Sequence, residues 1–317
     1  MKELLYTYNE QFLYTPECIN DHLIHKSPKQ YIVCGMGGSH LPSGVLKTIQ
    51  PGIDIYVHRD YDAPPFSRAF IESSVIVAMS FSGDTEEVVS FYKKIKQLYD
   101  LPVVCIAKGG QLIDLAKEHN DPHVIIPPNN FAPRTAVGYS TVALASILKD
   151  KTILHNLQNL VLDIEKIDKQ AQDLVPFFEN KIPIFYASQG NLSFVYNWKI
   201  KMNETAKIPA FYNLFPESNH NELQSYEFIE KTTNFLPVLL RDISDNWRVQ
   251  KRFDVFETIL RDKNIDTLSI NISNNDIYQK IFESIVLGDF VSMYLAEKAG
   301  VPDLAVDFIE DFKQKLI

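Results

Sequence analysis

The segment from Val75 to Leu98, VIVAMSFSGDTEEVVSFYKKIKQL, constrains the fold most strongly. It opens with a short apolar run rich in β-branched residues, which indicates a strand buried on both faces. A polar turn follows, and then apolar residues recur at helical spacing, with Asp84 predicted as the N-terminal cap of the helix. Such a turn directs backbone N–H groups and the positive end of a helix dipole at one point, which suits an anion. A capped turn without a ligand would show the same pattern.

The composition restricts the partners that this chain is expected to have. Its 317 residues are 45% hydrophobic and carry a formal net charge of −9, so nucleic acid and anionic membranes are unfavourable partners. The N-terminus does not resemble a signal peptide, and no apolar run reaches the roughly 18 residues that a membrane span requires. The three cysteines have neither metal-ligand nor redox spacing. We therefore expect a cytoplasmic protein that binds neither nucleic acid nor membranes.

Short apolar strands alternate with helical segments along the first half of the chain. This alternation predicts an α/β fold with a doubly wound parallel sheet, covered by helices on both faces in three layers (αβα). The second half repeats the plan more faintly. We therefore predict two domains related by pseudo-symmetry, residues 1–150 with a helical lead-in and residues 151–317.

Two polar turns follow predicted strands, at Gly35–Ser39 and Ser80–Thr85. Parallel sheets bind ligands beyond the carboxyl ends of their strands, so both turns could face one crevice. Arg134, in the loop APRTAVG, is either a surface arginine or a cation placed over that crevice. The turn GMGGSH also resembles a dinucleotide fingerprint, but His40 replaces the third glycine, and a turn of small residues also suits close approach to a sugar.

Two further side chains are candidates for acid–base chemistry. Glu204 lies on a predicted helix in the sequence NETAK, and His220 lies in the polar turn ESNHNEL. Each residue alone is more often a solvated surface group. Combined with an anion-binding turn, a carboxylate can move a proton between adjacent carbons while an imidazole handles a proton on oxygen. No spacing typical of a metal site is present, so no metal and no cofactor are expected.

The motifs GMGGS, SFSGDT, APRTAVG, NETAK and ESNHNEL occur in the order expected for the bifunctional phosphoglucose/phosphomannose isomerase family of bacteria and archaea. That family consists of two sugar isomerase (SIS) domains, and the resemblance covers nearly the whole chain. The most discriminating part is the pair formed by Glu204 and His220.

The resemblance implies a role for each candidate residue. Glu204 would shuttle a proton between C1 and C2 of the sugar through a cis-enediol, and Arg134 would stabilise the negative charge of that intermediate. His220 would assist ring opening, reaching the site from the partner subunit of a homodimer, and Lys313, or less favourably Lys315, would act near the ring oxygen. The substrate phosphate would be held by residues of the two turns, namely Gly38, Ser39, Ser80, Ser82, Gly83 and Thr85.

The expected activity is therefore isomerisation between aldose and ketose, converting glucose 6-phosphate, mannose 6-phosphate or both to fructose 6-phosphate. Two alternatives stay open. A non-catalytic phosphosugar-binding protein would need the two turns but neither Glu204 nor His220. An isomerase of another phosphosugar would keep all of these residues and differ in its pocket.

Overall fold

The computed structural model describes residues 1–25, 28, 30–128, 130–228, 234–272 and 274–316. The chain forms two compact units, which we call the N-terminal unit (Tyr8–Val161) and the C-terminal unit (Met1–Thr7 with Leu162–Ile317). The division into domains at residues 150 and 151 stays a prediction.

The N-terminal unit is built on a six-stranded sheet in the order β1-β6-β5-β4-β2-β3. All neighbouring strands are parallel except the short edge strand β1, which runs antiparallel to β6. The strands are β1 (Cys18–Ile19), β2 (Gln30–Cys34), β3 (Ile55–His58), β4 (Ser74–Met79), β5 (Val103–Ala107) and β6 (His123–Ile125). The helices are α2 (Leu41–Ile49), α3 (Arg68–Glu72), α4 (Glu86–Tyr99), α5 (Gly110–Glu118), α6 (Val137–Ile147) and α7 (Lys151–Gln158).

Both faces of this sheet are covered, as the apolar runs predict. Every residue of β2, β4 and β5 is buried, so side chains that alternate between the two faces are all shielded from water. One face packs against α4 and α5 through residues such as Phe91, Ile95 and Leu112. The predicted three-layer arrangement is therefore confirmed for this unit.

The C-terminal unit contains a four-stranded parallel sheet in the order β10-β9-β7-β8. Its strands are β7 (Ile182–Ser188), β8 (Phe211–Phe215), β9 (Phe235–Arg241) and β10 (Leu268–Asn271). Its helices are α1 (Lys2–Tyr6), α8 (Ile164–Phe178), α9 (Leu192–Glu204), α10 (Trp247–Asp262), α11 (Ile277–Ala299) and α12 (Asp307–Gln314). Strand β8 is an addition to the elements predicted from the sequence.

The two units repeat one topology. Each unit has four parallel strands that correspond, β2 to β5 in one and β7 to β10 in the other. In both sheets the strand that comes last along the chain lies beside the third, then comes the first, and then the second, as β5-β4-β2-β3 and β10-β9-β7-β8. The order reverses between the first and third strands, β2 and β4 or β7 and β9, which is where ligands bind in open parallel sheets. The predicted pseudo-symmetry of two doubly wound domains is thus confirmed.

Two further observations concern the helices. The long helix α11 is capped at its C-terminus by Gly300, which adopts the left-handed conformation (φ 66°). Among the residues that the structure describes, no helix is both long enough and apolar enough to cross a membrane.

Candidate active site

The turn between β4 and α4 is organised around the buried hydroxyl of Ser80. The backbone N–H of Gly83 donates to Ser80 Oγ at 3.0 Å, and Ser80 Oγ lies 2.7 Å from Thr85 Oγ1. Gly83 has a φ of +93°, and a Cβ there would come within 1.8 Å of the carbonyl oxygen of Gly109. Only glycine fits this position. The exposed Ser82 hydroxyl accepts a hydrogen bond from the Asp84 N–H at 3.2 Å.

The prediction that Asp84 caps its own helix is wrong. The N-cap residue of α4 is Thr85, and the carboxylate of Asp84 instead accepts a hydrogen bond of 2.8 Å from the backbone N–H of Gln111, at the start of α5. Two consecutive helices are therefore tied together at the sheet edge. The carboxylate is committed to a helix N-terminus, where a negative charge is favourable.

The two predicted turns meet, as expected from their positions after β2 and β4. The backbone N–H of Phe81 donates to Ser39 Oγ at 3.0 Å, which joins the GMGGS turn to the SFSGDT turn. Ser39 and Ser80 are buried, whereas Ser82 lies at the surface and Thr85 is half-buried. The N-terminal unit thus concentrates hydroxyl groups at the point where the strand order reverses.

Arg134 lies against this pair of turns. A Cβ on Gly38 would come within 2.7 Å of the backbone nitrogen of Arg134 and of the carbonyl carbon of Pro133, so only glycine allows this approach. The side chain of Arg134 is 1% exposed, which excludes the interpretation as a surface arginine. Gly38, Ser39, Ser80, Ser82, Gly83, Thr85 and Arg134 are therefore brought together within one unit.

Sequence reasoning missed Gln11, which holds the Arg134 loop in place. Its buried side chain donates to the carbonyl oxygen of Thr135 at 3.0 Å and accepts from the N–H of Tyr139 at 3.2 Å. Gln11 lies in a short 3₁₀ helix far from the loop in sequence, so no local pattern could have indicated this role.

His40, which follows the GMGGS turn, is buried at the start of α2. Burial, together with the nearby charge of Arg59, lowers the pKa of His40 to about 4. The imidazole is therefore neutral at physiological pH and offers no positive charge to an anion.

In the C-terminal unit, Glu204 is the last residue of α9 and is half-buried. The next turn is fixed by Lys207, whose ammonium group donates to the carbonyl oxygens of Glu204 and Ala305, the latter at 2.6 Å. Lys207 thus links the end of α9 to the segment that precedes α12.

His220 is the exposed last residue of a 3₁₀ helix, Glu217–His220. Its loop is anchored by Glu222, whose two carboxylate oxygens accept hydrogen bonds from the Tyr186 hydroxyl on β7 and from the Asn213 amide on β8. The Tyr186 hydroxyl also lies 2.7 Å from that of Tyr226, and burial raises the pKa of Tyr226 to about 12. Glu222 and its partners are a second group that sequence reasoning missed.

Lys313 and Lys315, the alternative C-terminal lysines, both lie exposed on or just beyond α12. Lys313 donates to Glu310 at 2.7 Å and Lys315 to Asp311 at 2.5 Å, so the local contacts do not distinguish them. In the described part of the chain, neither His220 nor Lys313 is hydrogen-bonded to Glu204. The roles of these three side chains stay predictions.

The described residues include no group of three or more His, Cys, Asp and Glu side chains that could hold a metal ion. Glu204, His220 and Arg134 are side chains of types that can transfer protons, donate hydrogen bonds and stabilise negative charge.

The chain is similar to known proteins along most of its length. The profile of the bacterial phospho-glucose isomerase C-terminal SIS domain matches residues 167–316. The chain is 28% identical over 295 residues to a bifunctional phosphoglucose/phosphomannose isomerase from Aquifex aeolicus, covering 91% of this chain and 90% of the relative. It is 29% identical over 220 residues to a D-glucosamine-6-phosphate 4-epimerase from Sulfolobus acidocaldarius, covering 68% of this chain and 69% of the relative.

Solved structures support the fold. The C-terminal domain of glucosamine-fructose-6-phosphate aminotransferase from Francisella tularensis superposes with a TM-score of 0.65 at 15% identity, covering 95% of each chain. The resemblance predicted from the motifs is confirmed: residues 167–316 match the profile of the bacterial phospho-glucose isomerase C-terminal SIS domain, and the chain is similar along nine-tenths of its length to bifunctional phosphoglucose/phosphomannose isomerases.

Proposed function

We propose that this protein is an aldose–ketose isomerase that interconverts glucose 6-phosphate, mannose 6-phosphate or both with fructose 6-phosphate. The observation that carries the proposal is the joining of the two hydroxyl-rich turns through Ser39 and Phe81, with Arg134 buried against Gly38. Neutral hydroxyl donors and one cation at the strand ends suit a phosphorylated sugar. The similarity to named isomerases over most of the chain supports this choice of substrate.

The reaction needs only proton transfer and charge stabilisation. The carboxylate of Glu204 would remove the proton from C2 of the open-chain aldose and return it to C1, passing through a cis-enediol. Arg134 would stabilise the negative charge that develops on the oxygens of this intermediate, an effect worth a few kcal/mol in a site from which water is excluded. The two aldoses differ only in configuration at C2, so one proton shuttle can serve both.

His220 and Lys313 would assist ring opening before this step. His220 would act on a proton bound to oxygen, which suits an imidazole near neutral pH, and Lys313 would act near the ring oxygen. In the proposed homodimer His220 enters the site of the other subunit, which agrees with its exposure at the surface of a single chain. The metabolic substrate and the reduced cysteines favour the cytoplasm as the compartment.

The test is an isomerisation assay on the purified protein after treatment with EDTA. Glucose 6-phosphate and mannose 6-phosphate are supplied separately, and fructose 6-phosphate formation is followed. Turnover of either sugar without added metal supports the proposal, and turnover of both supports dual specificity. Binding of phosphosugars without any turnover would favour the non-catalytic alternative.

A second candidate follows from the similarity to a D-glucosamine-6-phosphate 4-epimerase. The same preparation is therefore incubated with glucosamine 6-phosphate, and the products are separated and identified. Epimerisation of this sugar, with neither glucose 6-phosphate nor mannose 6-phosphate converted, would replace the proposed substrate while keeping the phosphate-binding turns.

A further inference from the structure

Every residue of helix α12 is exposed. Phe308 and Phe312 are 88% and 61% exposed. These two side chains are four residues apart, so they lie on one side of the helix. An eight-residue helix is only marginally stable in water, so this apolar side is expected to be covered by another surface.

The helix also has an uneven distribution of charge. Asp307, Glu310 and Asp311 lie within its first five residues, and the two lysines that pair with Glu310 and Asp311 follow. These ion pairs are exposed, so each contributes little to holding the side chains in place. Residues 307–312 of α12 therefore carry three carboxylates and two exposed aromatic rings.

A groove of complementary character runs between α10 and the His220 loop. This basic groove has a volume of about 430 Å³ and is lined by Leu223, Trp247, Arg248, Lys251, Arg252 and Val255, among others. Trp247 is 62% exposed, and the guanidinium group of Arg248 lies 4.7 Å from the centre of its ring. Within the described residues, neither Arg248 nor Lys251 pairs with a carboxylate. Three cations thus line one apolar groove in a chain with a net charge of −9.

We propose that the basic groove receives helix α12 of a second copy of this chain. The phenylalanine rings would cover the apolar floor beside Trp247 and Val255, while the three carboxylates of α12 would face the arginines and the lysine. This is the binding of an amphipathic helix in a groove, with charge complementarity selecting its orientation. Because an eight-residue helix buries less than the roughly 800 Å² per partner of a standard interface, it would form one part of the dimer contact.

The proposal gives the dimer a role in the reaction, and in this respect it rests on the proposed function. Asn219, which precedes His220, lines the groove and accepts a hydrogen bond from Arg252 at 3.3 Å. A docked α12 would therefore bring Lys313 of one subunit to the same interface as His220 of the partner subunit. Both ring-opening groups would be assembled by one contact.

Charge reversal with rescue tests the docking. We would measure the dimer dissociation constant of the full chain by sedimentation for two double variants, Arg248→Glu with Lys251→Glu in the groove and Asp307→Lys with Asp311→Lys on the helix. We expect each pair to raise the dissociation constant at least about tenfold, and the four substitutions together to restore it to within about threefold. A wild-type chain that stays monomeric, unchanged double variants, or failure of the combined variant to recover would overturn the proposal.

The matched control replaces two exposed lysines of the N-terminal unit, Lys93→Glu with Lys117→Glu. It changes the net charge as much as the groove variant does, so it should leave the dissociation constant unchanged. Circular dichroism of every variant identifies any that fail to fold, and an unfolded variant is replaced by the neutral pair Arg248→Gln with Lys251→Gln, for which a smaller increase in the dissociation constant is expected.

Trp247 reports directly on the groove, because the only other tryptophan, Trp198, is buried. Its emission should shift to shorter wavelength as the chain associates, and Trp247→Phe should remove the shift. Inorganic phosphate is added in a parallel titration. A phosphate-dependent shift that is lost in the groove variant, with no change in association, would identify an anion site and overturn helix docking. Rescue of dimer formation without isomerase activity would leave docking intact and remove the proposed function.

Discussion

At the scale of single residues, Gly38 has the most specific requirement in the candidate site. It is buried, and the backbone of Pro133 and Arg134 occupies the space that a side chain would need. Backbone atoms cannot move aside as a flexible side chain can, so any larger residue must displace the Arg134 loop from the turn. Gly52, by contrast, is exposed and has no atom within 4 Å of the position of a Cβ.

We predict that Gly38→Ala destabilises the protein by about 1–3 kcal/mol, the usual cost of overpacking, and raises KM for the phosphosugar about tenfold. Gly52→Ala is the control, and it should leave both quantities nearly unchanged. Chemical denaturation and the isomerisation assay measure the two effects. An unaltered KM in Gly38→Ala would show that the approach of the Arg134 loop does not matter for binding.

A second prediction at this scale concerns Glu204, which the proposed mechanism uses as the base. Glu204→Gln keeps the size and hydrogen-bonding capacity of the side chain but cannot accept the proton from carbon. We expect kcat to fall by about 10³-fold or more, since general base catalysis contributes on the order of 10²–10⁴. Phosphosugar binding, measured by calorimetry, should be retained. Full activity in this variant would remove Glu204 from the mechanism.

At the scale of elements, local patterns predicted most strands and helices, because burial on both faces leaves an uninterrupted apolar run. Strand β7, Ile182–Ser188, coincides with such a run, IPIFYA. Strand β8, FYNLF, was missed because it is an edge strand with mostly half-buried or exposed residues, so its sequence lacks that signal. The error on Asp84 has a different cause. Its partner, Gln111, belongs to another helix, and a contact between distant segments leaves no trace in local spacing.

The same distinction applies to the candidate site. The two turns were predicted because each follows a strand and contains its own glycine and hydroxyl groups. Gln11 and Glu222, which hold the loops of Arg134 and His220 in place, were not predicted. Both form hydrogen bonds with backbone or side-chain groups of other elements. Before the fold is known, the sequence around such a residue looks the same as that around an ordinary polar residue on the surface.

The His220 loop provides a prediction for an element rather than a side chain. Glu222 connects this loop to β7 and β8, so Glu222→Ala would remove the carboxylate that accepts from Tyr186 and Asn213 and leave the Tyr186 hydroxyl paired with that of Tyr226, a loss of about 1–3 kcal/mol. We expect faster amide hydrogen exchange across residues 217–228 and a lower kcat. Glu217→Ala, which removes only an exposed contact to Asn221, is the control in the same loop. Equal exchange in the two variants would contradict the anchoring role.

At the scale of the whole molecule, the two units share a topology but have diverged at corresponding strand ends. Where the N-terminal unit has hydroxyl-rich turns after β2 and β4, the C-terminal unit has uncharged polar residues at the end of β7 that donate to carboxylates after β9. Ser188 donates to Asp245 at 2.6 Å, and the ammonium group of Lys280 donates to Asp242 at 2.6 Å. Asp242 and Lys280 are both buried. A carboxylate at the strand ends repels phosphate. We therefore interpret the crevice at the ends of β7 and β9, the second crevice, as a structural contact in which the Asp242–Lys280 ion pair joins β9 to α11.

The Asp242–Lys280 pair should therefore govern stability rather than activity, with a defined pH dependence. Burial alone would raise the pKa of Asp242, but hydrogen bonds from Lys280 and Ser244 lower it below the ordinary value. A lowered folded-state pKa means that the stabilisation is fully present above the unfolded pKa of about 3.9 and is lost as the pH falls through the folded pKa. We predict that Asp242→Asn costs about 3–5 kcal/mol at pH 7, because it leaves a buried lysine without its counter-charge.

The difference in unfolding free energy between Asp242→Asn and the wild type should shrink as the pH is lowered below about 4. Denaturant unfolding measured at several pH values tests this, with Asp266→Asn as the control because its ion pair with Lys181 is largely exposed and should contribute little. Activity per folded molecule should be unchanged in both variants. If Asp242→Asn instead raised KM for the phosphosugar without a loss of stability, the second crevice would take part in binding, and the two units would have kept a shared function as well as a shared topology.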